Sequence, residues 1–181
     1  MTRDDFQAEK AVVRRFHDEL DTASAQTVGN VLARHVAPDW RWRGVHPFDE
    51  LCGAAAVADR FWRPLMSSLA RLQRRPDIFM AGLNETDGFE SCWVAQTGHF
   101  MGLFDRPLLG IRPTARIVML RFAEFNRVED GRIAETLMFV DLLHLMMQAG
   151  QWPLPPQTGA HLVQPGPRTH DGLMYDPQDP A

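Results

Sequence analysis

From Phe6 to Val36 the apolar positions recur at helical spacing: Phe6, Val13, Phe16 and Leu20 form one stripe, and Val28, Val31, Leu32 and Val36 form a second after the polar run DTASAQ. Two amphipathic helices are predicted, the first capped by Asp4 or Asp5. In DWRWRGVHPFDELCG, Trp40 and Trp42 alternate with arginines until Pro47 and Gly53 break the pattern, so a short strand should lead into a loop. A third helix is predicted from Ala54 to Leu72, with Phe61, Leu65, Leu69 and Leu72 on one face and a kink at Pro64. From Asp77 onward the period falls to two, and DIFMAGLNE, FESCWVAQTGHF, ARIVMLRFAEFNRV and RIAETLMFVD read as four strands. The turn Glu129–Gly131 between the last two signals a hairpin. Helices first and antiparallel strands afterwards predict an α+β fold rather than a parallel α/β one.

After Gly150 the pattern stops, and seven of the 13 prolines fall in this tail. The chain therefore divides into a domain over 1–150 and a proline-rich C-terminal arm over 151–181. Trp152, Leu154, Leu162, Val163 and Tyr175 make the arm apolar enough to pack rather than float. At 181 residues, with 45% hydrophobic and 23% charged residues, the chain suits one folded domain and its extension. A net charge of -4 leaves no basic surplus for a nucleic-acid backbone, so no nucleic-acid partner is expected. Lys10 is the only lysine, which argues against Schiff-base chemistry. Cys52 and Cys92 have no metal or redox spacing and are expected as buried thiols. The N-terminus lacks an apolar signal core, and no run is long enough to span a bilayer, so a cytoplasmic protein without a membrane partner is expected.

Chemistry has few places to reside. A period of two counted along RIAETLMFVD puts Ile133, Glu135, Leu137, Phe139 and Asp141 on one face. An aspartate among such neighbours is either the cap of the helix starting LLHLMMQ or an acid kept in a cavity, where burial would strengthen it as a base. Glu124 shares a face with Val118, Leu120, Phe122 and Asn126, and is either a second acid or the salt-bridge partner of one of the many arginines, such as Arg121 or Arg127. Trp93, Thr97 and His99 share a face of an earlier strand. His99 and His46 are pocket donors or simply structural. The candidate lining is completed by Trp42, Phe61 and Phe122. No HExxH, GxGxxG, Walker or GxSxG motif occurs, which leaves acid/base work in a pocket.

The runs TGHFMG, RPTARIVMLRFAEFNRVEDGRIAET and DLLHLMMQAG resemble the SnoaL-like polyketide cyclases of the nuclear-transport-factor-2-like superfamily. The resemblance implies a cone-shaped curved antiparallel sheet wrapped by three N-terminal helices, a cystatin-like α+β barrel open to an internal pocket. It also implies cofactor-independent ring closure by intramolecular aldol chemistry, of lyase or isomerase type, on a small hydrophobic molecule. In that family the key aspartate stands seven residues before the glutamine of a closing Q-x-G, and Asp141, Gln148 and Gly150 keep the spacing. Leu137 stands where the family often has tryptophan, and Gln96 where it often has histidine. The other reading is a ligand-binding or dimerisation module in which Asp141 only caps a helix. A homodimer is expected through the apolar face of Ile117, Met119, Ala123 and Phe125.

Overall fold

The computed structural model describes residues 6–156. The predicted Asp4 or Asp5 cap and most of the C-terminal arm, with its expected packing, lie outside the described residues. The two N-terminal stripes form α1 (Gln7–Thr22) and α2 (Val28–His35), which bury Val13, Phe16, Leu20, Val28, Val31 and Leu32. They lead into β1 (Val36–Gly44) and the short β2 (Glu50–Cys52). The third helical stretch consists of α3 (Ala54–Val57), a π-helical turn (Ala58–Trp62) and α4 (Arg63–Ser68). The irregularity expected at Pro64 is thus a widened turn just before it, in a helix that runs on unbroken through Trp62 and Arg63, and the wider turn accommodates a residue with no N–H to donate.

That helix ends earlier than expected. Leu69 and Leu72 belong to β3 (Leu69–Leu83), which pairs with β4 (Cys92–Phe104). β5 (Arg116–Glu129), β6 (Arg132–Val140) and the closing helix α5 (Leu142–Gln148) follow. The strand order is β2-β1-β6-β5-β4-β3. All pairs are antiparallel except β1 with β6, a parallel pair that the strand patterns do not announce. Asp130 and Gly131 both have positive φ, 49° and 72°, as a two-residue type I′ hairpin turn requires.

One face of the long strands is buried against the helices: Val94, Gln96, Phe100 and Phe104 on β4, and Val118, Leu120, Phe122, Glu124 and Asn126 on β5. Register shifts in β3, at residues 70–73 and 76–78, bend that strand over β4 and give the sheet its curvature. A third shift lies between Arg127 and Val128 of β5 and places one extra residue, Ala134, on β6. Beyond it the inward parity of β6 reverses, so that Thr136, Met138 and Val140 face the interior while Leu137 is half-buried and Phe139 is 50% exposed.

The interior is filled by aromatic rings. Trp42 meets Phe61 at 4.9 Å between centroids, Phe61 meets Trp62 at 5.0 Å, and Phe100 stacks on Phe122 at 4.4 Å. The β4–β5 connection contributes Leu108 and Ile111 to the core. Cys52 is exposed on the edge strand and Cys92 is half-buried, so neither is the fully buried thiol expected. No helix of the described residues is long and apolar enough to cross a membrane.

Candidate active site in a cleft closed by a buried ion network

Arg74 is drawn inward from β3, and its side chain is only 2% exposed. A guanidinium cannot shed its charge, so burial on this scale demands compensation. Its Nη1 donates to Glu124 Oε2 at 2.9 Å and to Gln96 Oε1 at 3.1 Å, and its Nε donates to Asp21 Oδ1 at 3.2 Å. The rings of Phe100, Phe122 and Trp62 lie 5.1, 5.3 and 5.8 Å from its central carbon, within cation–π range. Nη2 alone is buried without a hydrogen-bond partner.

Behind Arg74, His17 of α1 lies 2.9 Å from Glu124 Oε2 through Nε2. Burial, followed by the nearby Arg74 charge, pushes His17 below its ordinary 6.5. The ring is neutral at pH 7 and donates to the carboxylate. Burial would raise the Glu124 carboxyl, but the charges of His17 and Arg74 and the His17 hydrogen bond outweigh it and hold the group at about 2. Deeper in the core, Trp40 donates to Thr136 at 3.0 Å and Thr136 to Asn126 at 2.7 Å.

This network forms one wall of a cleft of about 390 Å³. The end of α1 and the following loop provide Leu20, Asp21 and Ala23 to Gln26; the α4 region provides Trp62, Met66 and Ser67; β3 and β4 provide Arg71, Leu72, Arg74 and Phe100. Asp21 is a carboxylate with access to water, its side chain being 41% exposed. The cleft thus combines aromatic walls, the edge of the Arg74 ion network and an accessible carboxylate, as small-molecule sites do. A larger groove of about 560 Å³ lies on the opposite face of the sheet, where Trp93 and Leu137 sit among Arg41, Arg43, Arg127, Glu129 and Glu135. Its charges pair with one another, Arg43 with Glu135 at 3.0 Å and Arg127 with Glu129 at 2.7 Å. None of its polar side-chain atoms is buried without a partner. The cleft is therefore the stronger candidate.

The expected lining is only partly brought together. Trp42, Phe61, Phe122 and Glu124 face the interior, but Trp42 and Phe61 pack as core. Glu124 is in a salt bridge with an arginine, as one of its two readings had it, and that arginine is Arg74 rather than Arg121 or Arg127, whose side chains lie on the other face. Trp93, Leu137, Phe139 and Asp141 share no cavity with these residues, a correction for β6 that follows from the extra residue Ala134. His99 is on the outer face, 3.2 Å from Asp77, and the His46 side chain is 89% exposed beside Asp49.

Asp141 is the N-cap of α5: its Oδ1 accepts from the His144 backbone N–H at 2.8 Å, and its Oδ2 accepts from Arg121 at 2.8 Å. Gln148, two turns along, hydrogen-bonds the Met119 backbone with both ends of its amide, at 2.9 and 2.7 Å. Gly150 follows at a φ of 66°. The spacing of Asp141, Gln148 and Gly150 is thus the length of a helix capped at one end and clamped to β5 at the other. Asp141→Ala should cost about 1 kcal/mol, the usual value of a lost cap, since the half-exposed ion pair with Arg121 adds little. Urea denaturation measures this, and a loss beyond about 3 kcal/mol would exceed what a cap supplies.

Arg74, Asp21, His17, Trp62 and Phe100 were not anticipated as site residues, whereas Gln96 was singled out only as a position where the resembling family often has histidine. The one signal for Arg74 is that the alternation of β3 reaches back through LARLQRR, ahead of Asp77.

No family model matches the chain, and no curated protein does. Solved structures do. A Jannaschia protein provisionally named a SnoaL-like polyketide cyclase superposes with a TM-score of 0.59 at 22% identity, over 86% of this chain and 98% of its own. AclR from Streptomyces galilaeus, provisionally named a hydroxylase, gives 0.62 at 19% identity over 83% and 87%. A nuclear-transport-factor-2-like protein of Burkholderia thailandensis gives 0.56 at 20% identity over 78% and 96%. The six-stranded curved sheet, the helices packed on one face of it and these likenesses together give the chain the fold of the SnoaL-like and nuclear-transport-factor-2-like proteins.

Proposed function

We propose that the protein is a cofactor-independent cyclase or isomerase of SnoaL-like type, acting on a small hydrophobic carbonyl compound held in the Asp21–Arg74 cleft. The observation that carries this reading is an accessible carboxylate, Asp21, paired with the Arg74 guanidinium at the wall of a cleft lined by Trp62 and Phe100. Asp21 takes a proton from the carbon beside the carbonyl, and Arg74 donates to the oxygen as it becomes an enolate. In an intramolecular aldol step the enolate carbon then bonds to a second carbonyl carbon, whose oxygen takes up the proton. Glu124 and His17 fix Arg74 rather than touch the substrate. Proteins provisionally named polyketide cyclases are among the solved structures of this fold, which supports the reaction class.

Exchange of the α-protons of 2-tetralone in D2O, followed by NMR, tests this. Wild type should accelerate exchange, and Asp21→Asn should remove about 10²-fold or more of it, the usual share of a general base. Asp141→Asn should leave the rate where it was, because the amide still caps α5 far from the cleft. Loss of exchange in Asp141→Asn but not in Asp21→Asn would make Asp141 the base. Saturable binding without acceleration would favour the second reading, a ligand-binding module, which the capping role of Asp141 supports.

We also propose that two copies pair through the outer face of the sheet, where Ile117, Met119 and Phe139 are 69, 39 and 50% exposed. Light scattering at micromolar concentration should report a dimer, and Ile117→Glu with Phe139→Glu should give a monomer. A wild-type monomer would refute this.

A further inference from the structure

The charges that line the cleft do not balance. Asp21 and Arg74 pair with each other at 3.2 Å, which leaves Arg71, the remaining charged residue of the lining, uncompensated. Arg71 is exposed, and among the described residues its side chain makes no hydrogen bond or ion pair; the same holds for Ser67, another exposed residue of the lining. The backbone adds a second anomaly. Arg71 has a φ of 56°, in the left-handed region where side chains are strained and glycine is not. It stands in the first register shift of β3: Ala70 pairs with Leu103 and Gln73 with Met101, so Arg71 and Leu72 together oppose Gly102. This bulge lets the adjacent Arg71 and Leu72 both line the cleft, which the alternation of a regular strand forbids. The curvature of the sheet calls for a bulge here but not for an arginine, and glycine or asparagine would suit the backbone better. An unpaired cation thus stands, at a cost to the backbone, on the rim of a cleft whose buried walls include Trp62 and Phe100.

Resting on the cleft reading above, we infer that Arg71 is an anion-recognising residue at the cleft mouth, so the ligand is an aromatic compound that carries an ionised carboxylate or phosphate on the end left at the rim. Its ring lies against Trp62 and Phe100, with Leu20 and Met66 completing the apolar walls. A guanidinium suits either anion, because its planar fork presents parallel N–H donors to two oxygens of one group. The Ser67 hydroxyl is a further donor on the same rim. Asp21 does not oppose this, since its charge is spent on Arg74. A neutral ligand of the same shape would leave Arg71 in water and gain nothing from it.

The experiment compares 2-naphthoate, 2-naphthyl phosphate and neutral 2-naphthol at pH 7.5, by calorimetric titration of the full chain. Wild type should bind at least one of the anions about fivefold more tightly than 2-naphthol, the scale of one exposed ion pair. The tighter anion names the source, a carboxylic acid or a phosphate ester. Arg71→Gln should bring anion and naphthol to equal affinity, and Arg71→Lys should keep the preference because the charge remains. Arg71→Gly should lose the preference while melting at or above the wild-type temperature, since glycine relieves the left-handed backbone. A merely structural arginine would not separate binding from stability in that way. Should Arg71→Gly not fold, Arg71→Gln carries the test. Equal wild-type affinity for anions and naphthol, or a preference that Arg71→Gln leaves in place, overturns the inference while leaving the cleft as a site. Failure of all three probes to bind overturns it too. Exchange of 2-tetralone reports separately on the catalytic reading, so the two can fail independently.

Discussion

Arg74→Met is expected to lower the free energy of unfolding by about 3–5 kcal/mol, the cost of leaving a buried ion without its partner. Methionine approximates the volume of the arginine stem, so the loss comes chiefly from charge. Glu124 would remain 1% exposed with only a neutral His17 beside it at pH 7. The double variant Arg74→Met, Glu124→Gln should recover much of the loss, because an amide can accept from His17 without carrying charge, and a double-mutant cycle in urea reads the coupling directly. An Arg74→Met loss below about 1 kcal/mol would mean that water reaches Glu124 and that the network is not sealed.

The same pair sets the acid limit of the fold. Glu124 is held at about 2 when folded, against an ordinary 4.5, so the folded state binds fewer protons across that interval. Its contribution is complete above 4.5 and is lost as the pH falls towards 2. His17 is also shifted down, from 6.5, and so begins to withdraw stability at milder acidity. Unfolding midpoints should therefore fall from pH 7 to pH 3, and the fall should be shallower in Glu124→Gln. Equal slopes in the two proteins would remove Glu124 from the account.

Gly98→Ala is the second large expected effect, at about 3 kcal/mol or more. A Cβ on Gly98 would lie 2.2 Å from the carbonyl oxygen of Arg75 and 2.9 Å from the Cα of Pro76. Both are backbone atoms of β3, where it bulges across β4, so no side-chain rotation relieves the overlap. The strands would have to separate next to Arg74, and any ligand binding in the cleft should weaken with stability. Gly82→Ala is the control, because its Cβ meets nothing within 4 Å. It should be neutral or slightly stabilising, since alanine restricts the unfolded chain. Thermal unfolding of the two variants separates a steric cost from a general intolerance of β3 or β4 to substitution.

Much of the architecture was legible without coordinates. The stripes of α1 and α2, the Asp130–Gly131 turn and the inward face of β5 through Glu124 depend on neighbours within a few positions, and backbone periodicity alone displays them. Periodicity also exposed Asp141 as an acid needing an explanation, and capping was one of the two available.

Tertiary structure decided what periodicity cannot carry. A period of two says which residues share a face but not which face turns inward, and one inserted residue reverses the answer: Ala134 moved Leu137, Phe139 and Asp141 away from the interior that Ile133 still faces. The parallel pairing of β1 with β6 joins segments about a hundred positions apart, beyond any local pattern. Arg74 looked like one of many surface arginines until the fold set it against Glu124, Gln96 and Asp21, contributed by three other elements. Burying a guanidinium is affordable only where distant acids converge on it, and convergence is a property of the curved sheet and its helices, not of any stretch of chain.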